Sequence, residues 1–341
     1  MTTHRVAPAT LPTDCWYAVA PSDAVVRELS PLRAVQRPVV LFRTTDGTAV
    51  ALEDRCAHRP YPLSAGRLDG DQVVCGMCGF TYDVDGQCVR VPTQSHVPMG
   101  AYVAAYPVRE VDGLVWVWLG ETGRARLHRI PELPWLSGSG WASVGGDMHV
   151  EASFLALHES FADVTKVPFI APDLSPAVLE SQAPPLDVVV TETTVSLGRA
   201  FPRGPLPAWQ AELMGVSGDE LFEHRHEGFF MSPAAWVDHW DVQSDNGQWN
   251  RLRFTQLVTP VGQSSSRLLW RVSRDFAIDD PDADRRMSEL FSSYYHRVTT
   301  AIETMQRVVD VDGPGPMVNL SSDVAALKVR EIVQEMLAEE L

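Results

Sequence analysis

The chain has 341 residues, enough for one large domain or two ordinary ones. Hydrophobic residues make up 45% of it and no long apolar run occurs, which is the composition of a soluble globular protein and argues against a membrane span. The net charge of −16, with Lys166 and Lys328 the only lysines, argues against phosphate-rich partners such as nucleic acid.

The opening "MTTHRVAPATLPTDCW" has no continuous apolar core, so no secretory signal is expected and the cytoplasm is the default compartment. Up to about Gly120 the sequence reads as short strands and turns. "PVVLF", "TTDG" and "TAVALED" form a hairpin with a DG turn signal, and "FTYDVDGQCVRV" forms a second. "GLVWVWLG" reads as a buried strand. After the Pro/Gly/Ser-rich "PELPWLSGSGW" the pattern becomes mixed. "EASFLALHESFADV" reads as a helix. "LDVVVTETTVSLGRAF", "WNRLRFTQLVTP" and "SRLLWRVSRDFAI" read as strands of a larger sheet. "DADRRMSELFSSYYHRVTTAIETMQRVVD" and "SSDVAALKVREIVQEMLAEEL" read as helices, the second opened by Ser/Asp capping residues. The expected fold class is α+β, with domains at 1–125 and 126–341.

Three of the five cysteines crowd into Cys56–Cys78. That pattern favours metal ligation or reactive thiols over disulfides. Cys56, His58, Cys75 and Cys78 follow C-x-H-x16-C-x2-C, two ligand pairs on tight turns that can converge on one metal centre. Pro60, Pro62, Gly66, Gly70, Gly76 and Gly79 suit two hairpin tips that meet. Cys15 and Cys88 lie outside the pattern and read as small buried hydrophobes.

These residues, with "CAHR", "LSAG", "DVDGQCV" and "YPVREVDGLVWVWLG", resemble the Rieske domain of the Rieske-type non-haem iron oxygenases, alpha-subunit type. The likeness extends more diffusely through "FTQLVTPVGQSSSRLLWRVSRDF" to the C-terminal helix. It implies an N-terminal all-β Rieske-like [2Fe–2S] domain and a C-terminal helix-grip-like domain, an antiparallel sheet with helices around a substrate pocket. It also implies a ring-shaped homotrimer. The family pattern is C-x-H with C-x2-H, whereas Cys78 stands here in place of the second histidine. The altered Cys3His set admits a [2Fe–2S] cluster of lowered potential, a zinc ion, or no metal at all.

The resemblance also implies a mononuclear iron on N-x2-D-x2-H-x4-H and a carboxylate on the long C-terminal helix. His158 matches the first histidine. Asp163 replaces the second, Leu155 replaces the relay acid, and the carboxylate position falls near Val298, just before Glu303 and Gln306. No mononuclear catalytic iron is therefore expected. His224 and His226 in "EHRHEGFF", and Asp238, His239 and Asp241 in "WVDHWD", each read alone as a solvated strand face or turn.

The reading preferred from sequence is a non-redox cyclisation or rearrangement of a bulky apolar substrate in bacterial secondary metabolism, with His158 and Asp163 as acid–base groups. The alternative is an oxygenase with an altered Cys3His centre acting on a small organic substrate. A second alternative is a non-catalytic partner subunit. Neither nucleic acid nor a membrane is an expected partner.

Overall fold

The computed structural model describes residues 11–180 and 183–340. Residues 1–10 lie outside it, and with them most of the stretch on which the absence of a secretory signal was expected. The chain divides into two compact units. The first takes Leu11–Ile130 with Thr259–Gly262, and the second takes Pro131–Val258 with the remainder of the described chain.

The first unit is built of β1 (Trp16–Pro21), β2 (Ser30–Ala34), β3 (Arg37–Arg43), β4 (Ala49–Glu53), β5 (Arg67–Asp69), β6 (Gln72–Val74), β7 (Thr81–Tyr82), β8 (Cys88–Arg90), β9 (Ala105–Tyr106), β10 (Val108–Val111) and β11 (Leu114–Trp118). They form three sheets, ordered β1-β11-β10, β2-β3-β4-β9 and β5-β6-β7-β8. The expected hairpins are present. Thr44 N donates to Thr48 O across the first turn, and Gly47 takes φ +91 where the DG signal requires a left-handed residue. β11 is apolar throughout because it is the central strand of its sheet, and all five of its residues are buried.

The second unit contains β12 (Ala142–Val150), α1 (Phe154–Phe161), α2 (Val167–Ile170), β13 (Asp187–Val190), β14 (Val195–Pro205), α3 (Ala208–Met214), β15 (Leu221–Ser232), β16 (Ala235–Gln243), β17 (Trp249–Pro260), β18 (Ser266–Arg274), α4 (Pro281–Asp312) and α5 (Val324–Glu339). The strands make one seven-stranded antiparallel sheet, ordered β12-β18-β17-β16-β15-β14-β13. α4 starts at the Asp280 cap, whose carboxylate accepts from Asp282 N and Ala283 N. Its buried stripe of Met287, Phe291, Tyr295, Val298 and Ile302 recurs every three or four residues. Phe291 meets Phe254 of β17, and Tyr295 stacks on Trp270 of β18 at 4.6 Å, so this stripe lies on the sheet. Among the described residues no helix is long and apolar enough to cross a membrane.

The sequence expectation for "EHRHEGFF" is corrected here. β15 alternates strictly, with Glu223, Arg225 and Glu227 exposed and His224 and His226 buried, each with 1% of its surface accessible. In β16, Asp238 is likewise buried, at 7%.

Candidate functional site

The first candidate is the loop pair of the N-terminal unit. The loop after β4 is tied at its base by Asp54, which accepts from Ser64 N at 2.7 Å and from Ser64 Oγ at 2.6 Å. Between β6 and β7, Cys75 N donates to Phe80 O and Gly79 N donates to Cys75 O, with Gly79 at φ +71. The two loops meet backbone to backbone. A Cβ on Gly66 would lie 2.1 Å from Val74 O, and one on Gly76 would lie 2.7 Å from Ala65 O, so only glycine permits the approach.

That approach brings the Sγ atoms of Cys56, Cys75 and Cys78 within 4.8 Å of one another. Cys56 and Cys78 are 3.7 Å apart. Two thiolates on one tetrahedral ion at a metal–sulfur distance of about 2.3 Å would be about 3.8 Å apart, so this pair has the span of one ligand edge. His58 stands outside the trio. It is exposed, and its ring stacks on Phe80 of the other loop at 5.1 Å. Cys15 and Cys88 are buried and take no part in the thiol cluster.

Cys56 and Cys78 of the trio are shifted in opposite directions. Burial opposes ionisation of Cys56, yet hydrogen bonds from the Tyr82 hydroxyl and from the His58 and Arg59 backbone outweigh it, and its thiol titrates below the ordinary value. The Tyr82 oxygen already accepts from Ala57 N at 3.0 Å, which directs its O–H toward Cys56 Sγ at 3.2 Å. Burial, together with the neighbouring sulfurs of Cys75 and Cys56, pushes Cys78 up to about 12. Three adjacent thiolates are stable only around a positive charge. The two-imidazole cluster ordinary for such loops does not fit this donor set, because Cys78 occupies the place of an imidazole. A three-thiolate, one-imidazole centre fits its chemistry.

The second candidate is the α1 region. His158 is wholly buried. Its Nε2 donates to Pro233 O at 2.9 Å, while Nδ1 has no hydrogen-bond partner among the described residues. Burial holds the imidazole down to about 4, so it is neutral. Asp163 caps the short turn Val164–Lys166, accepting from Thr165 N at 2.9 Å and from Thr165 Oγ1 at 2.7 Å. No hydrogen bond joins His158, expected as an acid–base group, to Asp163; each is engaged elsewhere. Val298 is part of the apolar stripe of α4. Glu303 and Gln306 accept from Glu151 N and Ser153 N, so both clamp the entry to α1 onto α4. Among the described residues the thiol trio is the only grouping of three metal-ligating side chains. A mononuclear iron held by two imidazoles and a carboxylate does not fit His158, Asp163 and Val298.

The third candidate is a cavity of about 90 Å³ in the C-terminal unit, walled by Trp209, Trp240, Phe254, Phe291 and Tyr294. It is smaller than the cavity of about 150 Å³ that holds benzene, so it does not accommodate the bulky substrate expected from sequence. His158 and Asp163 are not among its described lining residues; His226 and Asp238 are. His226 Nε2 donates to Asp238 Oδ1 at 2.9 Å, and Trp236 Nε1 donates to Asp238 Oδ2 at 3.0 Å. Lys166 belongs to the same charge system. Burial lowers it to about 8, against the pull of Asp163 and Asp238.

Residues 15–107 match the Rieske [2Fe-2S] domain, and residues 150–339 match the vanillate O-demethylase oxygenase C-terminal domain. The toluene-4-sulfonate monooxygenase system iron-sulfur subunit of Comamonas testosteroni is 27% identical, across 96% of this chain and 97% of that protein. The oxygenase component of dicamba O-demethylase from Stenotrophomonas maltophilia is 26% identical, across 95% and 97%. The crystal structure of dicamba monooxygenase bound to 3,6-dichlorosalicylic acid superposes with a TM-score of 0.89 at 24% identity, covering 97% of this chain and 99% of that one. Matched along both of its units, the chain belongs to the Rieske-type non-haem iron oxygenase family, among the alpha subunits.

Proposed function

We propose that this protein is an oxygenase-type enzyme with an altered Cys3His centre, formed by Cys56, His58, Cys75 and Cys78, that acts on a small organic molecule held in the C-terminal cavity. The observation that carries the reading is the convergence of three thiols in a loop pair that also presents His58. Family membership along both units supports it, as do relatives named as monooxygenases and demethylases. The non-redox cyclisation preferred from the sequence finds no such support, since those relatives are oxygenase components, and it gives way to this reading.

An iron–sulfur centre in the loop pair supplies one-electron transfer. The chain's own residues set its character. The Cys78 thiolate adds negative charge where a neutral imidazole would stand, which lowers the potential. The hydrogen bond from Tyr82 to Cys56 Sγ opposes part of that effect by drawing charge off the sulfur. In the cavity, aromatic walls exclude water and fix a planar ligand, while His226 and Asp238 offer it polar contacts. The second reading is a tetrahedral zinc ion on the same four residues, favoured by the 3.7 Å span of Cys56 and Cys78.

Anaerobic purification followed by iron, zinc and acid-labile sulfide analysis separates the two. Iron with stoichiometric sulfide and visible absorption is the expected result. Zinc without sulfide, or a colourless metal-free protein, would overturn the oxygenase reading.

A further inference from the structure

Cys78 is the residue that sets this loop pair apart, and it stands in contact with a second thiol. Its Sγ lies 3.7 Å from Cys56 Sγ, across the two loops. The approach is held by the backbone. Gly66 and Gly76 seat one loop on the other, which fixes the separation of the sulfurs independently of what they bind. A disulfide has its sulfurs about 2.0 Å apart, so the pair at 3.7 Å must close by about 1.7 Å. Cys78 has room for that rotation, because it alone of the three clustered cysteines is only part-buried.

The pair is also within reach of a small oxidant. Cys56 borders a surface recess walled by Arg55, His58 and Arg59, and Cys78 follows the exposed Met77 at the tip of its loop. Cys75 is 2% exposed and lies in a turn closed by its N–H donating to Phe80 O. Cys15 and Cys88 lie outside the cluster. An imidazole at position 78, the ordinary donor of such loops, has no S–S chemistry. The pair therefore exists through this one exchange.

We infer that Cys56 and Cys78 form a redox-active dithiol, a peroxide-sensitive modification site that closes to a cross-loop disulfide. Hydrogen peroxide is the oxidant. Its O–O bond breaks as one sulfur takes an oxygen, giving a sulfenic acid and one water. The other sulfur attacks the sulfenic sulfur, the S–S bond forms, and a second water leaves. In all, two thiols give up two electrons and two protons, and one peroxide becomes two waters. The disulfide takes two of the four residues proposed for the metal centre, so bound metal is released as it closes. Only this last consequence rests on the metal reading; the dithiol chemistry does not.

The test uses the full chain, as purified and after treatment with a chelator. Each sample meets a small excess of hydrogen peroxide in the presence of a chelating metal indicator. Remaining thiols are alkylated, and the peptides are sequenced by mass spectrometry without reduction. The expected result is loss of two of the five thiols, one cross-link joining Cys56 to Cys78, and its reversal by dithiothreitol. Metal should appear in step with the cross-link in whatever fraction holds metal. Cys78→His should give no cross-link. A bond between Cys75 and Cys78, links to Cys15 or Cys88, or sulfinic acid without any cross-link overturns the proposal. So does survival of all five thiols in the chelator-treated sample. Protein purified metal-free that still forms the Cys56–Cys78 bond upholds the dithiol and sinks the metal reading. Metal-loaded protein that never forms it, stripped or not, does the reverse. The wild type decides the matter even if Cys78→His fails to fold.

Discussion

Acid should loosen the C-terminal unit through His158. Its imidazole is wholly buried, spends Nε2–H on Pro233 O, and is held down to about 4, whereas the unfolded chain titrates near 6.5. Between those values the unfolded state takes up a proton that the folded state refuses, so stability is full above about pH 7 and falls as the pH drops toward 4. The full difference is about 3 kcal/mol, and at pH 5 roughly 2 kcal/mol of it is already lost. The assay is urea unfolding near pH 7.5 and pH 5, with a chelator present, for the wild type and His158→Leu. At the higher pH the variant should be weaker by about 1–3 kcal/mol, because Pro233 O loses its donor. At pH 5 that gap should shrink by about 2 kcal/mol. His224 and His239 are also lowered by burial and add to the acid sensitivity of both proteins, but they cancel in the difference. A gap that is the same at both pH values would refute the claim that His158 is held neutral.

Other expectations concern the loop pair. Cys78→His recreates the two-imidazole donor set, and the reduced variant should show the low-g electron paramagnetic resonance signal of such a cluster, which the wild type should lack. Tyr82→Phe removes the hydroxyl at 3.2 Å from Cys56 Sγ and should weaken metal retention by about 10–100-fold, measured by competition with a chelator. Gly66→Ala places a methyl 2.1 Å from Val74 O, so the loops must part; bound metal should be lost even though all four ligand residues remain.

Much of this molecule was legible in its sequence, for identifiable reasons. The hairpins announced themselves because their glycines are forced, as at Gly47 and Gly79. α4 was legible because thirty-two residues keep one apolar stripe. α3 was not, being only seven residues long. The cavity dyad was missed for a different reason. "FEHRHEGFF" sets Phe222, His224, His226, Gly228 and Phe230 on one face, with Glu223, Arg225 and Glu227 on the other, and the phenylalanines at both ends mark the histidine face as the core face. That signal was available. What no local pattern could show is that Asp238 reaches His226, since this depends on the pairing of Gly228 with Asp238 across two strands. His158 and Asp163 were singled out by their place in the family's motif, but their partners, Pro233 and Thr165, were set by tertiary packing and by a local cap.

The clamp that Glu303 and Gln306 place on the entry to α1 has a consequence for redesign. Because α1 is pinned to α4 independently of any metal, the backbone that would carry an iron is held in place while its ligands can be exchanged. A double replacement, Asp163→His with Val298→Asp, would offer two imidazoles and a carboxylate at the family's positions. The new carboxylate would be buried at a site with 1% exposure, unfavourable in the apo protein and relieved by a divalent cation. Thermal stability would then become a readout of metal binding, and the scaffold a sensor for its own reconstruction.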